Sequence, residues 1–245
     1  MRSPALKFSV VIPAHNEERC LPSCLDSVER ASAACDGRVE TIVVLNRCTD
    51  ATGAIARDRQ ARVVDQDGKN LARVRNAGSR EAEGEILVTI DADSVMSANM
   101  LTQVERALSS GRYIGGGVPI RPERWSLGIL MAGLILAVFL APKGISGGLF
   151  WCYRRDFESI GGFDERFSSG EDVDFACRLK SYGRERNKKY GTLWRTCITS
   201  SCRKFDQFGD WFVVGLACRH PVRFWHALHG RDRELADRYW YDVGR

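Results

Sequence analysis

The sequence predicts an α/β protein with a mostly parallel, Rossmann-like central sheet and helices on both faces. Three observations predict it. Short runs rich in valine and isoleucine alternate with longer segments of helical periodicity through the first half. The 245 residues, 44% apolar and 27% charged, suffice for one large domain without disulfide support. Residues able to do chemistry follow directly after the apolar runs, at the carboxyl edge where such sheets bind ligands.

Phe8–Ile12 is the first predicted strand. Glu17–Ala34 is a helix, with Leu21, Leu25, Val28 and Ala31 on one face. Asn16 is its expected cap, and Glu17 and Glu18 fall in the first turn, where the helix dipole favours acids. Glu40–Leu45 is the second strand, and Thr49–Arg59 a helix capped by Thr49 or Asp50. A brief strand at Arg62–Val64, a polar helix at Asn70–Glu83, a strand at Glu85–Ile90 and a helix at Ala98–Ser109 complete the alternation.

The second half is less regular. Ser126–Pro142 holds no charge, and Leu127–Ala141 is almost continuously apolar. A membrane span needs about 20 apolar residues, and Gly128 and Gly133 dilute this stretch. It is predicted to be a buried or acceptor-lining helix, with an interfacial helix or a span as alternatives. A Gly-rich strand at Gly144–Arg154, a turn at Gly161–Glu165 and a helix from about Gly170 to Tyr182 follow. From Arg203 onward basic and aromatic residues mix. This implies one domain over residues 1–202, with a nucleotide half at about 6–118 and an acceptor half at about 119–202. Residues 203–245 form a helical extension that packs on the domain, touches a membrane surface peripherally or meets a second copy.

Composition excludes some classes. Nine cysteines include no CxxC and no zinc-like spacing, so reduced thiols in a cytoplasm are expected. The opening MRSPALKFSVVIP lacks the apolar core and cleavage site of a signal peptide. The net charge of +5 is mild, and no zinc-finger spacing, RRM signature or basic block points to nucleic acid. The expected location is the cytoplasm, with the inner face of the membrane as the alternative.

Four stretches carry chemistry. In "TIDADS" a buried strand ends in Asp91, Ala92 and Asp93. A turn would explain this locally, but two close carboxylates also suit Mg²⁺ or Mn²⁺, which take one or two carboxylates plus substrate phosphates. In "IPAHNEE" the backbone of Pro13, Ala14, His15, Asn16 and Glu17 would face a nucleoside, with Glu17 reaching base or ribose. Around "NLARVRNAG", Lys69, Arg73 and Arg75 are either a solvated basic face or cations for a diphosphate. In "GEDVDFACR", Glu171, Asp172 and Asp174 open a helix. Asp174 and Arg178 form a helical i,i+4 pair, yet three acids exceed what capping needs, and one could act as a general base.

Together, "FSVVIPAHNEE", "VETIVVLNRCTDATGAIA", "NLARVRNAG", "GEILVTIDADS" and "GISGGLFWCYRRDFESIGGFDERFSSGEDVDFACRL" resemble the GT-A glycosyltransferases of family 2, over roughly residues 6 to 183. The resemblance implies inverting transfer from a nucleotide-diphosphate sugar to a sugar, lipid-linked or small-molecule acceptor. It places Asp91 and Asp93 on ribose and a divalent cation, with Asp93 the more direct metal ligand. Asp172 becomes the general base beside Glu171, and Gly147 and Gly148 lie where backbone approaches the donor sugar or acceptor. One departure stands out. The second strand ends Leu45-Asn46-Arg47-Cys48, so an amide replaces the acid that often reads uracil, and the base stays open. A non-catalytic nucleotide-sugar-binding or membrane scaffold is the rival reading, although such a protein has no need of Asp172. A nucleotidylyltransferase is set aside because no Gly-rich loop follows the first strand.

Overall fold

The computed structural model describes residues 6–35, 38–222 and 224. The first half alternates as β1 (Phe8–Ala14), α1 (Leu21–Ser32), β2 (Val39–Leu45), α2 (Thr52–Asp58), β3 (Arg62–Asp65), α3 (Leu71–Arg80) and β4 (Ile86–Ile90). Next come β5 (Ser94–Met96), α4 (Met100–Ser109), β6 (Tyr113–Gly117), β7 (Ile120–Pro122) and α5 (Leu127–Leu140), which ends in a 3-10 turn. The remainder is β8 (Leu149–Tyr153), α6 (Arg154–Ser159), α7 (Glu171–Arg184), β9 (Lys189–Thr192), β10 (Ile198–Ser200), α8 (Arg203–Phe208) and α9 (Phe212–Arg219).

Seven strands form the main sheet in the order β3-β2-β1-β4-β8-β6-β9. All neighbours are parallel except those of β8, which runs antiparallel to β4 and β6. The period-2 alternation of strand side chains divides the core into two layers. Phe8, Val10, Ile12 and Ala14 of β1 pack with α1 and α4, through Leu25, Val28, Leu101 and Val104. Val11, on the opposite face, packs with α3 and α7 and with the cluster Phe150, Phe163 and Phe175. Gly78 lets α3 lie this close, since a Cβ there would meet Val11 and Val44 side chains at 2.6 Å. A second sheet, β5-β10-β7, stands beside the carboxyl edge.

Several expectations are corrected. Helix α1 begins at Leu21, not Glu17, with Pro22 in its first turn, where proline's missing N–H costs nothing. Asn16 does not cap it; this residue adopts φ +51°, and its Oδ1 accepts the Thr49 N–H at 2.8 Å. Residues 144–148 are a loop, and the strand begins only at Leu149. The uncharged helix α5 is not buried. Only Gly128, Ile129 and Ala132 are covered, while Leu127, Leu130, Leu134 and Val138 are each more than half exposed. No helix among the described residues is long and apolar enough to cross a membrane. Of the predicted extension, α8 and α9 are seen, and residues 225–245, with His226 and His229, lie outside the described residues.

Candidate active site

The parallel strands β1, β2 and β4 end side by side, which brings the Pro13–Glu17, Asn46 and Asp91–Asp93 segments to one edge. Two neighbouring loops there are knitted together. Glu17 N–H donates to Thr52 Oγ1 at 2.7 Å, and Asp50 Oδ2 accepts the Glu18 N–H at 3.1 Å. His15 Nδ1 lies 2.5 Å from the Asn46 carbonyl oxygen. Pro13 and Ala14 are buried in the sheet, so only their backbone can face a ligand. Ala92 is likewise buried, as the spacer between two acids. Asn46 uses both amide hydrogens on the Gln66 and Gly68 carbonyls, at 2.6 and 2.9 Å. Its side chain ties the end of β2 to the loop before α3, so those donors are committed within the protein.

The basic cluster divides. Lys69 is exposed on the loop before α3. Arg73 is also exposed, and its Nε donates to Glu165 at 3.1 Å. Arg75 is buried, with Nη2 on Asp91 Oδ1 at 2.8 Å and Nη1 on Glu171 Oε1 at 2.7 Å. One guanidinium thus bridges the end of β4 to the start of α7, and its ring-facing side lies over Phe163. Each terminal nitrogen of Arg75 thus holds one carboxylate within the protein. The bridge also changes the reading of Asp91, since one of its oxygens is taken.

The three acids of α7 have separate tasks. Gly170, at φ +73°, makes the left-handed turn that starts the helix. Glu171 is buried on Arg75, and Asp174 pairs with Arg178 at 2.7 Å as the helical spacing predicts. Asp172 Oδ1 accepts the Val173 N–H at 2.8 Å. Its Oδ2 faces Gly147, where even a Cβ would stand 3.9 Å away. Gly147 therefore leaves space over this oxygen. Gly148 differs, for its φ of +90° and its contact with Ile120 turn it toward the second sheet. Burial raises the Asp172 carboxyl above its ordinary range, while Arg75 pulls it back down. Burial raises Glu171 as well, against the same opposing charge.

Asp93 is also raised, first by burial and then by the Asp91 charge, with Lys204 and Arg203 acting in the opposite direction. No group of three His, Cys, Asp or Glu converges among the described residues. Two carboxylates at one strand end do fit Mg²⁺ or Mn²⁺ that completes its shell with phosphate oxygens. Arg203, unremarked in the sequence beyond the basic character of its segment, reaches this corner and pairs with Glu17. Its separation of 186 residues from Glu17 leaves no local signal.

The model for glycosyl transferase family 2 matches residues 9–134, half of the chain. The chain belongs to glycosyl transferase family 2. Among its relatives, the uncharacterised glycosyltransferase EpsJ of Bacillus subtilis is 30% identical over 101 residues, covering 39% of this chain and 28% of EpsJ. The chain thus spans less than a third of that relative. Solved structures carry the same GT-A fold at low identity. Glucosyl-3-phosphoglycerate synthase from Mycobacterium tuberculosis, solved with Mn²⁺, UDP and phosphoglyceric acid, is 20% identical at a TM-score of 0.63. That match covers 93% of this family 2 chain and 80% of the synthase. The mannosyltransferase PcManGT from Pyrobaculum calidifontis, solved with GDP-Man and Mn²⁺, is 16% identical at a TM-score of 0.64. It covers 99% of this chain and 77% of its own.

Proposed function

We propose that the chain is an inverting glycosyltransferase that moves a sugar from a nucleotide-diphosphate sugar to an acceptor hydroxyl. The carrying observation is the Arg75 bridge, which joins the donor-edge acid Asp91 to the helix start bearing Asp172. Asp172 takes the acceptor's hydroxyl proton while the acceptor oxygen attacks the anomeric carbon from the face opposite the leaving group. The bond from that carbon to the phosphate oxygen breaks, and the nucleoside diphosphate leaves with the electron pair. Asp93, with Asp91 beside it, would hold a divalent cation, Mn²⁺ or Mg²⁺. When bound, such a cation stabilises negative charge on the departing diphosphate. The two structural relatives were solved with Mn²⁺ and with UDP or GDP-Man, which supports a nucleotide-sugar donor.

On the acceptor side, α5 leads into the 144–148 loop beside Asp172, which Tyr190 and Thr192 anchor through Ser146. Exposed leucines on α5 suit an acceptor carried on a lipid. Replacing Asp172 by Asn tests the assignment. Transfer should fall by roughly 10²–10⁴-fold, the usual worth of general-base catalysis, while donor affinity measured by calorimetry stays near the native value. Native-rate transfer by the variant would remove Asp172 from the reaction.

A further inference from the structure

The chain after β10 brings a fixed positive charge to the donor edge. The pairing of Ser94 with Ser200 runs β10 along β5, and Ser201 N–H donates to the Asp93 carbonyl at 3.0 Å. Two residues on, Arg203 places Nη1 and Nη2 each 3.0 Å from an oxygen of the buried Glu17 carboxylate. Its Nη2 also stands 3.6 Å from Asp93 Oδ2. Its Nε is buried and has no hydrogen-bond partner.

We propose that Arg203 is a resident cation of the donor site, supplying positive charge to the donor diphosphate beside Asp93 and opposing a divalent ion that enters without a donor. This rests on the glycosyltransferase reading above. A latch between the first loop and α8 would need only the paired bonds to Glu17. The approach to Asp93 adds something a latch does not require, a guanidinium on the carboxylate best placed to hold a metal. With Lys204 also acting on Asp93, a cation drawn by the acids enters this corner past two positive side chains. It does so against Arg203 at short range, where Coulomb terms are large. A diphosphate experiences the opposite sign and gains from the same positive charge.

The signs separate this role from a structural one. In the full chain carrying Arg203→Met, Mn²⁺ alone, followed by water-proton relaxation, should bind about 3–10-fold more tightly, the scale expected from removing one partly screened charge. UDP or GDP without metal, followed by calorimetry, should bind about 10-fold more weakly through loss of one positive charge beside the diphosphate. The Glu17→Gln variant keeps the guanidinium but releases it toward Asp93. It should shift Mn²⁺ the other way, to weaker binding, which keeps the proposal testable if Arg203→Met does not fold. Unchanged affinities in Arg203→Met, a joint loss of metal and nucleotide binding, or tighter Mn²⁺ in Glu17→Gln would each overturn the inference. Failure of the unaltered protein to bind UDP and GDP, with or without Mn²⁺, would instead overturn the donor reading on which it rests.

Discussion

Arg75 shows how one side chain can decide what its neighbours do. A buried arginine is tolerated because two carboxylates meet its fork. Asp172 sits next in the chain to one of them and experiences the same charge. This sets a pH dependence with a definite sign. As the proposed base, Asp172 must be ionised, and burial raises its pKa above the ordinary 3.8. Activity should therefore fall as pH drops through a midpoint above that value. Replacing Arg75 by Met removes the opposing charge, so the acid limb of kcat against pH should move further up. A limb that stays in place would show that another group titrates. The acids of "GEDVD" were legible as a helix start with spare carboxylates. Their division of labour was not, because the partner of Glu171 lies 96 residues away on α3.

At the scale of elements, α3 and α5 show opposite sides of sequence reading. Helix α3 is polar in sequence yet lies against β1 and β2 through Ala72, Val74 and Ala77. Its closest approach is at Gly78, so Gly78→Ala should push α3 off the sheet and cost about 1–3 kcal/mol, typical of overpacking. Thermal unfolding checks this, and an unshifted transition would mean the sheet yields freely. Helix α5 is apolar on every face, a pattern that usually means burial, but only its first two turns have covered positions. Trp125 and Trp211 stand exposed at that end, and Lys143 Nζ lies 3.8 Å over the Phe139 ring at the other. Aromatic and basic flanks of this kind favour a membrane surface. The unaltered chain should sediment with anionic lipid vesicles, and Leu130→Asp with Leu134→Asp should abolish this. A chain that ignores vesicles but elutes as a dimer would assign the face to a second copy.

At the scale of the whole molecule, contacts cross the predicted boundary at residue 202. Arg203, the first residue of the predicted extension, pairs with Glu17 of the first loop, and Arg124 holds Asp206 and Asp210 in the next turns. Donor binding should therefore stabilise the first loop and α8 together. In a thermal-shift panel of UDP-, GDP- and dTDP-sugars, with and without Mn²⁺, the matching donor should raise Tm, because a ligand that binds only the folded state stabilises it by mass action. A flat response across the panel would argue for the non-catalytic rival or for a different donor.

Local order alone determined the alternation of β1 through β4 and the helix α4, the carboxyl edge and the identity of its acids. Those features rest on periodicity and on strand ends, which are properties of neighbouring residues. Composition also foresaw one uncharged helix without saying which way it faces. Only the tertiary structure decided that Arg75 links Asp91 to Glu171 beside Asp172, that Asn46 serves its own loops, that α5 lies on the surface and that Arg203 meets Glu17 near Asp93. Each of these depends on residues far apart in sequence meeting across the sheet edge, where the partner of a charge fixes its role and spacing along the chain carries no record of it.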